Sequence, residues 1–473
     1  MKQQFKMLGC IVSVFIVNST GVFGQILNRA PDVLPGTISE MRDPSYWIAL
    51  MKNPDEILLT GAEIQRMNEN FKKKMSADDP FKNVSEERRS KLLEYFPGIE
   101  LRIPDLHSMT PEAISDTVRK KLIIEIEYLR SRDFGNPNGV RYAQWEIDNL
   151  ESEMALDQLK GQIRVRDAIA VRTTRLKNIP SFYPEKMGFV QNANDQWSIG
   201  VLKIGKPVMV LHSSRSGEFV FVLCEIGYGW VRSEDVAFGD KGEIDTFVNA
   251  EEFVVCTGDR LQFYSDGSCT YSSGWFRMGD RLPLASKNNP RVVKIPVRKM
   301  NGEFTTETAW LAENADVHVG FLPYTRRNIV ITAFKLLDNP YDFNGTFFGR
   351  QHETTYRDIF ACFGFDLPFH GGLFSHYGNN ETVLNPDIGR EAQYKRILEC
   401  EPFMTIMITL QDRGGHAQLL LGSYNGVPIV FDQHGYGYKD ESGNELIIKR
   451  CCIDDITMPV YFLKSKLTFL ELK

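Results

Sequence analysis

The chain has 473 residues, of which 42% are hydrophobic and 25% charged, a balance typical of a globular protein. This length is too great for one hydrophobic core and predicts roughly three or four domains. The formal net charge is −6 and the sequence has no long run of lysine and arginine, so nothing in it predicts a nucleic-acid-binding surface.

The first 24 residues have the pattern of a secretory signal peptide. Lys2 and Lys6 precede an apolar run from Met7 to Val17, and a short segment ending at Gly24 supplies small or modest residues. We therefore predict cleavage near Gly24 and a periplasmic or secreted protein. The apolar run is too short to cross a bilayer, and no later segment predicts a membrane span.

Residues 25–166 are predicted to be mostly helical. Apolar residues recur at helical spacing from Ile57 to Lys74. Thr110 supplies a capping hydroxyl ahead of a proline and an acid, so a second helix is expected from there to Ser131.

A β pattern begins near Ala168. Short apolar runs alternate with turn residues through 167–245 and again through 246–320, a spacing that favours small barrels or sandwiches. In the first block, the sequence Gly-Trp-Val at 229–231 followed by Asp-Val-Ala at 235–237 resembles the closing strand of a bacterial SH3-like barrel. We predict one small β domain in each block.

The last region, residues 321–473, is predicted to be an α+β domain. Helices are expected at Arg327–Leu337 and from His352 to Phe363, because apolar residues recur there at helical spacing. Four strands are expected to follow them, at Phe403–Leu410, Ala417–Gly422, Pro428–Asp432 and Met458–Phe462.

Several short motifs of this region occur in a specific order. They are Asn339-Pro340-Tyr341, Gly349-Arg350, Phe363-Gly364, Leu367-Pro368 and Gly415-His416. In this order they resemble the NlpC-type, papain-like cell-wall peptidases. Upstream, residues 42–47 and 171–173 resemble parts of the multidomain form of these enzymes. The resemblance implies a helical N-terminal clip at 25–166, two SH3-like barrels and a C-terminal peptidase-like domain.

Enzymes of this family cut peptidoglycan stem peptides after D-glutamate. Their chemistry needs a thiolate at a helix N-terminus, a histidine base and a third polar group that orients the histidine. The resemblance places His352 at the nucleophile position, where the family has cysteine. It implies that His416 is the retained base and that Asp432 or His434 is the orienting group.

Four further positions correspond to substrate-binding residues of the family. Arg350 is kept, whereas the aspartate and serine that flank the nucleophile are replaced by Gln351 and Glu353. The arginine that pairs with a substrate carboxylate is replaced by Phe369. The nucleophile and its substrate-binding neighbours have therefore changed together, which predicts loss of catalysis.

No other cysteine is predicted to replace the nucleophile. Cys362 lies ten residues further along the same helix, about 15 Å away along its axis. His352 at the start of this helix is expected to be neutral, because the helix dipole disfavours a cation there.

A metal site is a second interpretation of these histidines. His352 and His416 converge if the fold is as implied, and His370 or His434 would complete a zinc site. However, Tyr356 stands where the zinc-peptidase helix motif needs its second histidine. The favoured interpretation therefore has no metal and no cofactor.

These observations predict an exported homologue of γ-D-glutamyl-L-diamino-acid endopeptidases that has lost catalysis. We expect it to bind peptidoglycan stem-peptide fragments or an envelope protein through the remnant cleft. Two alternatives stay open. One is an active cell-wall peptide hydrolase with replaced, metal-assisted chemistry. The other is a non-enzymatic protein whose SH3-like barrels bind the wall.

Overall fold

The computed structural model describes residues 29–77, 109–131, 134–135, 140–159, 163–182, 186–187, 195, 197–369, 373–377, 382–411, 414–435, 437–440, 442–458 and 462–473. The predicted signal peptide at 1–24 and the candidate ligand His370 lie outside these residues. Within them, no helix combines the length and the apolar character that crossing a bilayer requires.

The N-terminal region contributes helices α1 (Pro44–Leu50), α2 (Gly61–Ala77), α3 (Pro111–Ser131) and α4 (Gln144–Glu153). The helix expected up to Ser131 is confirmed, and the amide of Ala113 donates to Oγ1 of Thr110 at 3.3 Å. Helix α2 begins four residues later than predicted. The reason is a capping arrangement in which the Thr60 amide and hydroxyl both donate to the Glu63 carboxylate.

The first β unit is an antiparallel sheet of seven strands. The strands of this part of the chain are β1 (Phe134–Gly135), β2 (Arg166–Ala170), β3 (Thr174–Lys177), β4 (Lys186–Met187), β5 (Ser198–Leu202), β6 (Pro207–Ser213), β7 (Phe219–Cys224), β8 (Gly227–Arg232) and β9 (Val236–Phe238). The sheet order is β5-β3-β8-β7-β6-β2-β9, and β1 pairs separately with β4. Apolar residues of α3, among them Val118 and Leu122, pack against Trp197 and Trp230 of this unit.

Helix α5 (Lys241–Val248) leads into the second β unit. Its strands are β10 (Phe253–Cys256), β11 (Arg260–Tyr264), β12 (Ser272–Arg277), β13 (Arg281–Pro283), β14 (Val292–Arg298), β15 (Phe304–Leu311) and β16 (Val317–Val319). They form a three-stranded sheet, β13-β10-β16, and a four-stranded sheet, β12-β11-β15-β14. Val254 of the first sheet and Phe276 of the second belong to one buried apolar cluster, so the two sheets share a core.

The C-terminal domain begins with helices and continues as a sheet. Its helices are α6 (Arg326–Phe334), α7 (His352–Ala361), α8 (Phe374–Tyr377) and α9 (Arg390–Leu398). Its strands are β17 (Thr382–Leu384), β18 (Thr405–Gln411), β19 (Gly414–Tyr424), β20 (Val427–His434), β21 (Gly437–Lys439), β22 (Glu445–Ile447), β23 (Arg450–Asp455) and β24 (Leu467–Glu471). Six of them form one sheet in the order β17-β24-β18-β19-β20-β23, and β21 pairs with β22. This arrangement confirms the predicted α+β class.

One predicted strand of this domain is wrong. Met458 lies in a bend and Phe462 begins a 3₁₀ turn, so the expected strand at Met458–Phe462 is absent at both of its described ends. The carboxylate of Asp455 accepts the amide of Thr457 at 2.7 Å, and this local turn ends β23.

A buried cluster of charges joins the C-terminal domain to both β units. Asp358 on α7 accepts hydrogen bonds from Arg277 at 2.6 and 2.8 Å and from Arg350 at 2.7 Å. Its other oxygen lies 2.7 Å from Nζ of Lys203. Although burial alone would raise the pKa of Asp358, these three cations hold it well below its usual range. These ion pairs therefore connect the C-terminal domain with the first and the second β unit through the Asp358 carboxylate on α7.

Candidate active site and its closed surroundings

The start of helix α7 lies against the start of strand β19. His352 is the first residue of the helix, and His416 is the third residue of the strand. One helical turn further on, the Tyr356 hydroxyl lies 3.1 Å from the carbonyl oxygen of Ala417 and 2.8 Å from that of Phe431. This side chain fixes the helix to strands β19 and β20 and so holds the helix start near His416.

The side chains of His352, His416 and Asp432 form a continuous polar chain. Nε2 of His352 lies 3.3 Å from Nδ1 of His416, and Nε2 of His416 lies 2.9 Å from Oδ2 of Asp432. Gln418 donates to the same carboxylate oxygen at 3.0 Å. The exposed fractions are only 5% for His352, 1% for His416 and 0% for Asp432, so these three side chains are enclosed by protein.

The donor and acceptor capacities of these side chains indicate which ring nitrogens carry protons. The ionised carboxylate of Asp432 only accepts, so Nε2 of His416 carries the proton that it donates. In a neutral imidazole the other nitrogen accepts, and Nδ1 of His416 therefore receives the Nε2 proton of His352. Nδ1 of His416 thus faces the imidazole of His352, and Nε2 of His416 faces the carboxylate of Asp432.

Burial keeps both imidazoles neutral. It lowers the pKa of His416 to about 3, and together with the neighbouring His416 it holds the pKa of His352 well below its ordinary value. Burial also raises the pKa of Asp432, while nearby His434 and His352 oppose that rise. A neutral His352 agrees with the expectation from its place at a helix N-terminus.

Of the two candidate orienting groups, the structure puts Asp432 in contact with His416. The ring of His434 lies further away, with its centroid 6.1 Å from that of His416. His370 lies outside the described residues, so the zinc ligand set that would include it stays a prediction.

Two of the predicted substrate-binding residues are engaged in contacts within the protein. The Arg350 guanidinium, 5% exposed, bonds to Asp358 and to Asp259 of the second β unit. Oε1 of Gln351 accepts the backbone amide of Asn344 at 3.1 Å and so ties the preceding loop to the helix start.

The other two predicted substrate-binding residues lie in different surroundings. Phe369 is 7% exposed and belongs to the apolar core of the first β unit. Its ring covers Gly200, where a Cβ atom would stand only 2.5 Å from the ring edge. Glu353 is half-buried, and burial raises its pKa to about 7.

Little space is left where the first β unit meets the start of α7. The cavity there has a volume of about 20 Å³, whereas ligand pockets for small molecules usually have several hundred. It is lined by Gly200, Val201, Lys203, Arg277, Asn344, Gly345, Gly349, Thr354, Arg357, Asp358 and Phe369. The first β unit therefore packs closely against the C-terminal domain at this contact.

The cysteine nearest to His352 in the sequence is buried. Cys362 follows the last residue of α7, at the end opposite His352. Its Sγ lies 3.4 Å from the carbonyl oxygen of Cys256, and burial raises the pKa of its thiol to about 12. A thiol in this state is a poor nucleophile at neutral pH.

Two residues of the site were missed by the sequence analysis. Gln418 holds Asp432 from the neighbouring strand, and Asp454 on β23 lies close to Asp432 and His434. The sequence did hold a signal for Gln418. His416 and Gln418 are two residues apart, as are Asp432 and His434, so each pair points to one face of its strand. The pairing of β20 with β23 was needed to add Asp454.

Within the described part of the chain, two groups of buried side chains have the spacing of metal ligands, and both contain Asp432. One consists of His352, His416 and Asp432, and the other of Asp432, His434 and Asp454. In each group, one ligand atom from every residue lies within 4.8 Å of the others.

Comparison with known proteins was made at the level of sequence and of structure. Residues 193–232 match the family model described as SH3 domain (SH3b1 type). No curated protein matches the chain in sequence. An NlpC/P60 endopeptidase from Photobacterium damselae subsp. piscicida is similar in structure, with a TM-score of 0.70 and 17% identity, over 94% of this chain and 99% of its own.

Two further solved structures, NlpC2 and NlpC1 from Trichomonas vaginalis, match over 63% of this chain and 94% and 90% of their own. Their TM-scores are 0.22 and 0.23 and their identities 10% and 11%, so they add nothing to the comparison. The Photobacterium structure matches nearly the whole chain and confirms the predicted fold. The chain has the fold of an NlpC/P60 endopeptidase and contains a segment that matches SH3 domains of the SH3b1 type.

Proposed function

We propose that the protein is an exported, catalytically inactive homologue of the NlpC/P60 endopeptidases that binds cell-wall peptides. The observation that carries the proposal is the contact between His352 and His416, in which a buried neutral imidazole occupies the place of the nucleophilic thiol. An imidazole that is only 5% exposed is badly placed to attack a peptide carbonyl, because the substrate must come within about 3–3.5 Å of the reacting atom.

The small cavity beside Phe369 indicates that a cell-wall peptide binds elsewhere on the protein. A cavity of about 20 Å³ beside Phe369 does not admit a stem peptide, so we place binding outside the remnant cleft. The surface between the two β units has a groove of about 1220 Å³. Basic side chains such as Arg166 and Lys294 line it together with acidic ones such as Asp167 and Glu252. Stem peptides carry amino and carboxylate groups, and this mixed charge suits them.

An activity assay tests the loss of catalysis. The purified protein is incubated with L-Ala-γ-D-Glu-diamino-acid fragments, and the products are followed by mass spectrometry. We expect no cleavage. Turnover that disappears in His352→Ala or His416→Ala would overturn the proposal, because it would show that these histidines perform chemistry.

A binding assay tests the location of the ligand. Sedimentation with purified peptidoglycan should retain the protein, and the double variant Lys294→Glu and Lys299→Glu, in the groove, should weaken retention several-fold. The double variant Lys395→Glu and Lys464→Glu, at exposed positions outside the groove, is the charge-matched control and should bind as the unmodified protein does. Equal loss in both variants would mean that overall charge, and not the groove, governs binding.

A further inference from the structure

Three buried side chains meet on one face of the C-terminal sheet. Asp432 and His434 are two residues apart on β20 and therefore point to the same face. On the adjacent β23, Asp454 is paired with Val430, which places it on that face beside Asp432. One ligand atom from each of the three residues lies within 4.8 Å of the other two.

The carboxylates of this cluster are buried and incompletely bonded. Asp432 and Asp454 are both 0% exposed, and the Oδ1 atom of each meets no hydrogen-bond donor from the described residues. The hydrogen bonds from His416 and Gln418 both reach Oδ2 of Asp432 and leave its Oδ1 facing protein without a donor. Burying carboxylates in this way is unfavourable unless a proton neutralises them or a cation compensates them, and a bound cation would satisfy both Oδ1 atoms at once.

The nearest buried cation on these strands is engaged elsewhere. Arg450 is paired with His434 in the register of β20 and β23. Its guanidinium donates to the carbonyl oxygens of Ala30 and Pro31, the second at 2.7 Å, and lies 3.3 Å from Oδ1 of Asp338. It holds the N-terminal segment against the sheet, and its charge is directed away from the Asp432 and Asp454 pair.

We propose that Asp432, His434 and Asp454 bind one divalent transition-metal ion, most suitably zinc. One imidazole and two carboxylates form a ligand set that zinc accepts at about 2.0–2.2 Å. Cys452, paired with Asp432 in the register, places its Sγ 3.9 Å from Oδ2 of Asp454 and adds a soft donor at the edge of the cluster. Magnesium and calcium prefer oxygen ligands throughout, so this set favours zinc over both.

The role of this ion follows from its enclosure. All three ligands are at most 1% exposed, and a zinc site closed to water is structural, because a catalytic site keeps a position open for water or substrate. The ion fastens β23, at the edge of the six-stranded sheet, to β20. The site therefore compensates two buried charges and stabilises the edge of the sheet, and it does not depend on whether the protein binds wall peptides.

Metal analysis of the purified chain tests this site. After removal of metal and reconstitution with zinc chloride, elemental analysis should find stoichiometric zinc, and Asp454→Asn and His434→Gln should abolish it. Asp455→Asn is the matched control, because this neighbouring carboxylate bonds to Thr457 and should leave the zinc content unchanged. A reconstituted protein with only trace zinc would overturn the proposal.

A second variant distinguishes the two overlapping ligand groups. His352→Ala removes a ligand of the other group only, so it should retain full zinc under our proposal. Loss of zinc in His352→Ala with retention in Asp454→Asn would place the ion between His352 and His416 and overturn it. If Asp454→Asn does not fold, the unmodified protein still decides the question. A chelator should lower its melting temperature, zinc should restore it, and an unchanged melting temperature would contradict the proposal.

Discussion

Nε2 of His352 lies 3.3 Å from Nδ1 of His416, and under our proposal this contact takes the place of the thiol and imidazole pair on which the chemistry of cysteine peptidases depends. In the proposed assignment His416 is the base and Asp432 orients it, so the proposed deficits are a missing nucleophile at His352 and an enclosed site. These two deficits can be separated by experiment, because a single substitution supplies the nucleophile without opening the cleft.

His352→Cys should therefore not produce a peptidase. The new thiol would face Nδ1 of His416 at the start of α7, but Phe369 and the first β unit would still close the cleft. We expect no cleavage of L-Ala-γ-D-Glu-diamino-acid fragments over many hours, measured by mass spectrometry. The double variant His352→Cys and His416→Ala is the control. Turnover in the single variant and none in the double variant would show that substrate does reach this site.

The contact between Gly200 and Phe369 predicts a coupled effect on stability. A Cβ at position 200 would stand 2.5 Å from the ring, so Gly200→Ala should destabilise the protein by about 1–3 kcal/mol in urea unfolding. Phe369→Ala should cost about 3–5 kcal/mol through the cavity that it leaves. In the Phe369→Ala background, the effect of Gly200→Ala should become much smaller, because only the contact with Ile226 at 3.2 Å remains.

Gly61→Ala provides the control for this pair, because a Cβ at position 61 meets no atom within 4 Å. It should leave stability unchanged or slightly raised at the start of α2. Additive effects of the Gly200 and Phe369 substitutions would contradict a direct contact between the first β unit and the remnant cleft.

Asp358 should be among the residues most important for stability. Asp358→Asn leaves Lys203, Arg277 and Arg350 buried with less negative charge, so it should cost about 3–5 kcal/mol in urea unfolding. The control is Asp245→Asn, which breaks an exposed pair with Lys241 and should cost less than about 1 kcal/mol. Equal effects would mean that the buried cluster does not join the three parts of the protein.

Much of this fold was predictable because it depends on short-range patterns. Helix α3 follows from the capping hydroxyl of Thr110, and strands β18 to β20 follow from apolar runs bounded by turn residues. The motif order located His352 and His416, which the structure then brings into contact.

Long-range pairing was beyond the reach of the sequence. Asp454 joins Asp432 only because β23 pairs with β20, and no local pattern specifies which strands become neighbours. The resemblance implied a substrate-binding position for Phe369, whereas its ring lies in the core of the first β unit. Packing between domains decides the surroundings of such a residue, and one amino-acid sequence does not show which domain surfaces come into contact.

The carboxyl group of Glu353 predicts a pH dependence of stability. Burial raises its pKa from 4.5 to about 7, so the folded state holds this proton more tightly than the unfolded state does. Stability should therefore fall as pH rises from about 4.5 through 7, by about 1–2 kcal/mol once the partial exposure of the group is allowed for. Glu353→Gln cannot ionise, so it should be more stable than the unmodified protein at pH 8 and should lose that advantage at pH 4.5. Urea unfolding at the two pH values measures this difference.

The control for this prediction is Glu391→Gln, at an exposed position in the first turn of α9, which should show no such crossover. A constant difference between Glu353→Gln and the unmodified protein at both pH values would show that Glu353 stays ionised and solvated beside His352.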